Sequence, residues 1–246
     1  MSGHSKWASI KHQKAVTDKK RSNVFTKLAN NISVAARGGG DPTMNYSLRL
    51  AIEKAKEANM PKDNIERAIK RGTGELGGAA ATEDLYEIYG PAQTAILVET
   101  FSDNKNRTSG EIKAVINKLG AKLASANAVS YLFSHLGELK VSLDGQGIGG
   151  RNANLLHEEI EMKIIESGAE NYEQIEDGYL VYCKPNELKQ ISDNLISAGL
   201  KVTSSELVWV PKETIEVNEE ESDKVIRLLE TLDDLDDVKN VSSNLG

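Results

Sequence analysis

The sequence predicts an α+β protein in which a basic helical bundle precedes acidic domains of mixed strands and helices. Three observations carry that reading. Apolar residues recur at helical spacing up to Gly72. Beyond the Gly/Ala-rich stretch Gly72 to Ala81, strands and helices alternate, and several strands alternate apolar with polar residues, the mark of sheets covered on one face. The charge changes sign at the same place: Met1 to Ala80 hold 15 Lys+Arg against 7 Asp+Glu, and the rest of the chain holds 15 against 30.

At 246 residues the chain is long enough for two or three domains with buried cores. The one cysteine, Cys183, excludes an internal disulfide and a multi-cysteine zinc site, and its place in the apolar run Tyr179 to Cys183 predicts a buried, inert thiol. No run reaches transmembrane length, and the polar N-terminus lacks the apolar core of a signal peptide. A reducing cytoplasm is the expected compartment.

In the first region Val24, Phe25, Leu28, Ile32 and Ala36 form a helical stripe that the glycines Gly38 to Gly40 end. Asp41-Pro42 predicts the start of a second helix, with Leu48, Ala51, Ile52 and Ala55 as its stripe. Pro61 opens a third, with Ile65 and Ile69 one turn apart and Gly72 at its end. The predicted strands that follow are Thr94 to Phe101, Val129 to Phe133, Glu138 to Leu143, Gly178 to Cys183, Lys201 to Val210, Thr214 to Val217 and Val238 to Leu245. The predicted helices between them are Thr108 to Leu119, Asn152 to Ile165, Pro185 to Ser197 and Ser222 to Leu235.

The functional signal is the basic N-terminus. Met1 to Arg37 carry eight basic residues and one acid, Asp18, on a chain of net charge −7. A local cationic segment on an acidic protein suits a polyanion, most often nucleic acid. On a helix at about 100° per residue, Trp7, Ile10, Lys11 and Lys14 cluster on one side, while Ala8, Ala15 and Val16 fall elsewhere, so Lys6 to Arg21 have no clean apolar stripe. His4, Lys6, Trp7, Lys11, His12, Lys14, Lys19, Lys20, Arg21 and Lys27 are the predicted contacts: cations for phosphates, and Trp7 either as a stacking ring or packed against the bundle.

Other motifs carry less. Gly72, Gly74 and Gly77 match the dinucleotide spacing G-x-G-x-x-G but follow a helix; Gly145, Gly147 and Gly150 lie after a strand that alternates in polarity, with no acid placed for a ribose. A nucleotide-dependent enzyme using that second loop is the competing reading, and an adaptor using the acidic domains is a third. No nucleophile elbow, P-loop lysine or zinc-helix histidine pair is present, so no catalytic residue, metal, cofactor or small-molecule substrate is assigned. Thr108 and Glu111 suit a capping box. Asn104 and Arg107 would then sit at a helix N-terminus, as possible phosphate contacts. Asp233, Asp234, Asp236 and Asp237 read as the solvated face of a helix whose inner stripe is Val225, Ile226, Leu229 and Leu232.

Met1-Ser2-Gly3-His4-Ser5-Lys6-Trp7, Ile10-Lys11-His12, Lys19-Lys20-Arg21, Ala58 to Ile65 with its continuation to Gly74, Tyr89-Gly90-Pro91 and Asp103 to Thr108 resemble the YebC/PmpR family along the whole chain. The resemblance implies a helical domain (1–80) followed by two α/β-sandwich, ferredoxin-like domains, one of 82–135 plus 208–246 and the other, 136–207, inserted into it. Members are called DNA-binding transcriptional regulators, and others act as translational activators that bind the ribosome and relieve stalls at proline-rich stretches. The implied partner is therefore promoter DNA or ribosomal RNA, with no membrane. The lack of a helix-turn-helix recognition helix and the aromatic among lysines favour RNA. A chain that opens at the motif suits a bacterial cytoplasmic member. One departure stands out: the family usually has two glycines after Tyr-Gly-Pro, and here Ala92 and Gln93 take their place.

Overall fold

The computed structural model describes residues 6–7, 21–76, 81–143 and 153–246. They form two compact units, residues 1–134 with 209–246 and residues 135–208.

The first unit begins with three helices, α1 (Arg21–Ala36), α2 (Tyr46–Glu57) and α3 (Lys62–Thr73). Leu28, Ile32, Ala36, Leu48, Ile52, Ala55, Ile65 and Ala68 close into one apolar cluster, as the helical spacing predicts. α1 and α3 approach closely at Gly72, where a Cβ would stand 2.2 Å from the Ser33 carbonyl oxygen. Ser33 Oγ uses that proximity to donate to the Ala68 carbonyl at 2.8 Å. The second helix starts later than Asp41-Pro42 suggests. Asp41 instead folds back on Thr43, accepting from its N–H at 2.8 Å and its hydroxyl at 2.7 Å, and the helix is capped by Asn45. A short acid that can satisfy its own neighbouring backbone makes a turn as readily as a cap.

A four-stranded sheet follows, built from β1 (Thr82–Tyr89), β2 (Ala95–Ser102), β3 (Lys122–Leu123) and β8 (Val238–Ser243) in the order β3-β1-β2-β8. Helices α4 (Lys105–Lys118) and α7 (Glu219–Asp233) share its core: Ile112, Ile116, Val225, Leu228, Leu229 and Leu232 pack with Ile88, Ile96, Val98 and Val241. On the opposite face Ala95 and Leu97 are covered by Val129, Leu132, Phe133 and Trp209. β1 and β2 are joined through Pro91 to Thr94, where the Thr94 N–H donates to the Pro91 carbonyl at 3.1 Å. Ala92 and Gln93 both take positive φ, 52° and 59°. This is the type I′ geometry that matches a hairpin's twist and favours glycine, so glycine would relieve conformational strain at these two positions.

The second unit runs β4 (Phe133–Ser142), α5 (Ala153–Glu166), β5 (Asn171–Ile175), β6 (Gly178–Cys183), α6 (Leu188–Ser197) and β7 (Lys201–Pro211), with sheet order β5-β6-β4-β7. This βαββαβ order is the ferredoxin-like arrangement. Leu139 faces Val181 and Val141 faces Tyr179 across β4 and β6. These four pack with Ile160, Ile164, Ile191 and Leu195. Cys183 is buried there, and burial pushes its thiol up to about 11, which keeps it protonated and inert.

Several elements differ from the sequence expectation. β1 and β5 went unread because Glu83, Asp84 and Glu87 in one, and Asn171, Glu173 and Gln174 in the other, hide the alternation of an exposed strand. Val129 to Phe133 is no strand: a 3₁₀ turn at Ser130–Leu132 precedes β4. Thr214 to Val217 contributes only a bridge from Ile215 to Leu245. The loop Gly145 to Gly150 and residue Gly77 lie outside the described residues.

Gly72→Ala forces α1 and α3 apart. It should destabilise the chain by about 1–3 kcal/mol, read as a lower urea midpoint at unchanged slope, whereas Gly74→Ala or a surface change on α3 does not test that contact.

Candidate nucleic-acid interface

Trp7, in the N-terminal segment, enters the sheet core. Trp7 is 3% exposed and packs with Ile88, Val225 and Val241. Its indole N–H donates to the Val241 carbonyl at 2.9 Å. Beside it the Lys6 backbone N–H donates to the Leu245 carbonyl at 2.8 Å, and Lys6 Nζ donates to Ser222 Oγ at 3.0 Å. The expectation of Trp7 as a base-stacking contact is thereby corrected. It packs, but against the sheet and α7 rather than against the helical bundle. A segment without its own apolar stripe anchors by its one large aromatic, and the sheet carbonyl satisfies the indole N–H.

The other end of the basic region is also held. Lys27 Nζ pairs with Asp233 at 2.8 Å, and Asn30 Nδ2 donates to the Asp236 carbonyl at 3.1 Å. Ser222 and Asp233 lie near opposite ends of α7, roughly 16 Å apart at 1.5 Å rise per residue. His4, Lys11, His12, Lys14, Lys19 and Lys20 lie outside the described residues, as does the side chain of Arg21, whose backbone opens α1. Of the predicted contacts the structure therefore places Lys6, Trp7 and Lys27, each bonded to the α+β body.

Between the bundle and the sheet runs a polar seam within this unit. The guanidinium groups of Arg37 and Arg71 stand 5.0 and 5.1 Å from the Phe101 ring centroid. Arg37 pairs with Glu83 at 3.4 Å and donates to the Ala81 carbonyl, and Arg71 donates to Asn30 Oδ1 at 3.0 Å. A cleft of about 380 Å³ opens beside these groups, lined by Thr26, Asn30, Arg71, Asp103, Arg107, Glu111, Asp236 and Asp237. Four carboxylates against two arginines give it an acidic lining, which opposes a phosphate.

Asn104 and Arg107 both have structural partners, and only Arg107 lines the cleft. Asn104 is the N-cap of α4, its side chain accepting from the Arg107 N–H at 3.1 Å, so Thr108 lies inside the helix and makes no capping box. Arg107 pairs with Asp103 at 3.3 Å and with Asp237 at 2.8 Å. Asp237 also accepts from Thr108 Oγ1 at 2.6 Å and Ser102 Oγ at 2.9 Å. Burial alone would raise its carboxyl; the hydroxyls of Thr108 and Ser102 and the Arg107 guanidinium outweigh burial and hold it below the ordinary aspartate range. Asp233 and Asp237 are thus structural acceptors rather than members of a merely solvated run. Arg37, Arg71 and Phe101 had no sequence signal, since charge and an isolated aromatic do not reveal a partner. Asn30 and Ser33 are buried, although both fall outside the apolar stripe of their helix.

Two outcomes follow. Trp7→Ala should cost about 3–5 kcal/mol of stability, measured by denaturant unfolding of the full chain, with Trp7→Phe costing less. Asp237→Asn should lower stability at pH 7 by about 1–3 kcal/mol. The wild-type carboxylate's contribution is complete above the unfolded pKa of about 3.9 and fades as pH falls through the lower folded value. The variant should accordingly lose less stability across that acid range.

Two family models cover nearly the whole chain. The N-terminal domain of TACO1/YebC protein matches residues 5–75, and the TACO1/YebC second and third domain matches residues 81–245. A protein from Caldanaerobacter subterraneus subsp. tengcongensis is 43% identical over 246 residues, covering 100% of this chain and 98% of that one. One from Persephonella marina is 47% identical over 247 residues, covering 99% and 95%. Both are described as probable transcriptional regulatory proteins. Among solved structures, a conserved hypothetical protein from Aquifex aeolicus superposes with a TM-score of 0.83 at 41% identity, covering 98% of this chain and 97% of that one. The chain belongs to the TACO1/YebC family.

Proposed function

We propose that this protein is a non-enzymatic, nucleic-acid-binding regulator of gene expression whose main contacts come from Lys11, His12, Lys14, Lys19, Lys20 and Arg21, and whose target is structured RNA of the ribosome. The observation that carries the reading is the basic sequence between Trp7 and α1, attached at both ends to an acidic body. The net acidic charge of the rest of the chain disfavours a polyanion over much of its surface, which biases the nucleic acid toward the basic segment. The relatives' description as probable transcriptional regulatory proteins supports a role in gene expression and favours promoter DNA as the second reading.

The helices bear on the choice of RNA. Entry into a major groove needs a helix with a free face of base-reading side chains. α1 buries Leu28 and Ile32 against α2 and α3, while Lys27 and Asn30 bond to Asp233 and the Asp236 carbonyl. That leaves α1 poorly suited to duplex readout. No reaction is assigned: the acids Glu87 and Asp237 are each occupied by structural donors.

Replacing Lys11, Lys14 and Lys19 by alanine should reduce the slope of log K against log salt by about 2 to 3, measured by anisotropy with structured RNA and with duplex DNA. An unchanged slope counts against the segment as the binding surface. Fractionation of lysate with and without nuclease then separates the targets: migration with ribosomes supports the RNA reading, and nuclease-sensitive migration with DNA supports the promoter reading.

A further inference from the structure

Trp7 is buried, yet two tyrosines are displayed at one rim of the first sheet. Tyr89 is 44% exposed and Tyr131 is 64% exposed. A lone exposed tyrosine is ordinary; the framework beneath this pair is not. Glu87 lies two residues before Tyr89 on β1, so both project from the same face. Its buried carboxylate accepts three backbone N–H groups of the covering turn, from Asn127 at 2.5 Å, Val129 at 2.7 Å and Ser130 at 2.9 Å. Burial would raise that carboxyl, and the amides of Val129, Ser130 and Asn127 instead hold it low and ionised. Tyr89 reaches the same turn, its hydroxyl donating to the Ala128 carbonyl at 3.2 Å.

Tyr131 follows directly. Its carbonyl accepts from Lys212 Nζ at 2.8 Å, and the Lys212 N–H donates to the Leu132 carbonyl at 2.9 Å. Lys122 is the cross-strand partner of Tyr89 on the two-residue edge strand β3. The backbone carrying the rings is therefore fixed from below by an ionised acid, and an exposed lysine accompanies each ring.

We propose that Tyr89 and Tyr131, with Lys122 and Lys212, form a stacking platform for unpaired bases of single-stranded RNA. Exposed aromatic rings stack on any base, and the ammonium groups suit the backbone phosphates. A closed duplex offers no such faces. Glu87 acts as a positioning residue, holding the turn on which Tyr131 stands. The proposal deepens the nucleic-acid-binding reading and rests on it.

The test measures anisotropy of a fluorescein-labelled, unstructured RNA oligonucleotide on the full chain. The Tyr89→Leu/Tyr131→Leu variant should lose about tenfold in affinity per ring, the range of one stacked base. The double phenylalanine variant should bind within about twofold of wild type. The salt slope should stay unchanged in both, which separates this surface from the N-terminal lysines. Tyr131→Leu alone, whose side chain lies on the surface, gives the same readout at one ring should the double variant not fold. If the leucine variants bind as wild type does, the platform is overturned. If wild type binds no nucleic acid at all, the proposed function falls and takes this surface with it.

Discussion

The burial of Trp7 is the constraint on which the arrangement of the first unit rests. Two donors fix it from one side, the indole N–H on the Val241 carbonyl and the Lys6 amide on the Leu245 carbonyl. Its ring completes an apolar core otherwise made by α4, α7 and the sheet. Local helical preference in the surrounding sequence is weak and offers no burial of its own. One aromatic burying well over a hundred Å² of surface decides where such a segment begins. The chain then re-emerges at α1, which Lys27 and Asn30 tie to the far end of α7. The cationic sequence in between is therefore flanked on both sides by residues bonded to the α+β part of this unit.

Charge does two different jobs in this molecule. At the seam, Lys27, Arg37 and Arg107 meet Asp233, Glu83 and Asp237. Arg37 and Arg71 also lie over Phe101, where the ring face favours a cation. Individually these partly exposed pairs contribute little. The Lys27–Asp233 and Arg37–Glu83 pairs run from the bundle to the α+β part, whereas Arg107 and Asp237 join α4 to the start of β8. Of these basic residues Lys27 lies on α1, Arg37 directly after it, Arg71 on α3 and Arg107 on α4. Those in the proposed contact set crowd into the stretch before α1.

Much of this fold was legible from periodicity. The three helical stripes, the alternation of β4 around Lys140 and the apolar run of β6 each mark an element whose burial is repeated along the chain. Exposed edge elements were not legible, because β1 and β5 present acids and amides where a covered strand presents branched residues, and helix starts were misread wherever two polar residues competed for the same cap, as at Asp41 against Asn45 and Thr108 against Asn104. The site was legible only in its charge. Nothing local to Trp7 distinguishes a ring meant for a base from one meant for a core more than two hundred residues away in sequence. Tyr89 appeared only as part of a motif, and Tyr131 gave no periodic signal, since what matters about them is the turn that Glu87 holds.

The hairpin tip beside Tyr89 shows how a motif residue can be required for two unlike reasons. Gly90 is a matter of space: a Cβ there would stand 2.3 Å from Thr94 Oγ1 and 2.8 Å from Ile96 Cδ1. Ala92 and Gln93 are a matter of backbone, since both central residues of the turn need positive φ whatever room surrounds them. Side chains in that region cost roughly 1–2 kcal/mol each, and Thr94 offsets part of this by giving both its N–H and its hydroxyl to the Pro91 carbonyl, at 3.1 and 2.8 Å. The strand pairing beyond the turn supplies the rest, with β1 and β2 in unbroken register from Tyr89 opposite Ala95 to Thr82 opposite Ser102. Glycine at Ala92 and Gln93 would thus relieve strain without being needed for fit, whereas no residue with a side chain enters at Gly90 unless Thr94 and Ile96 first give way.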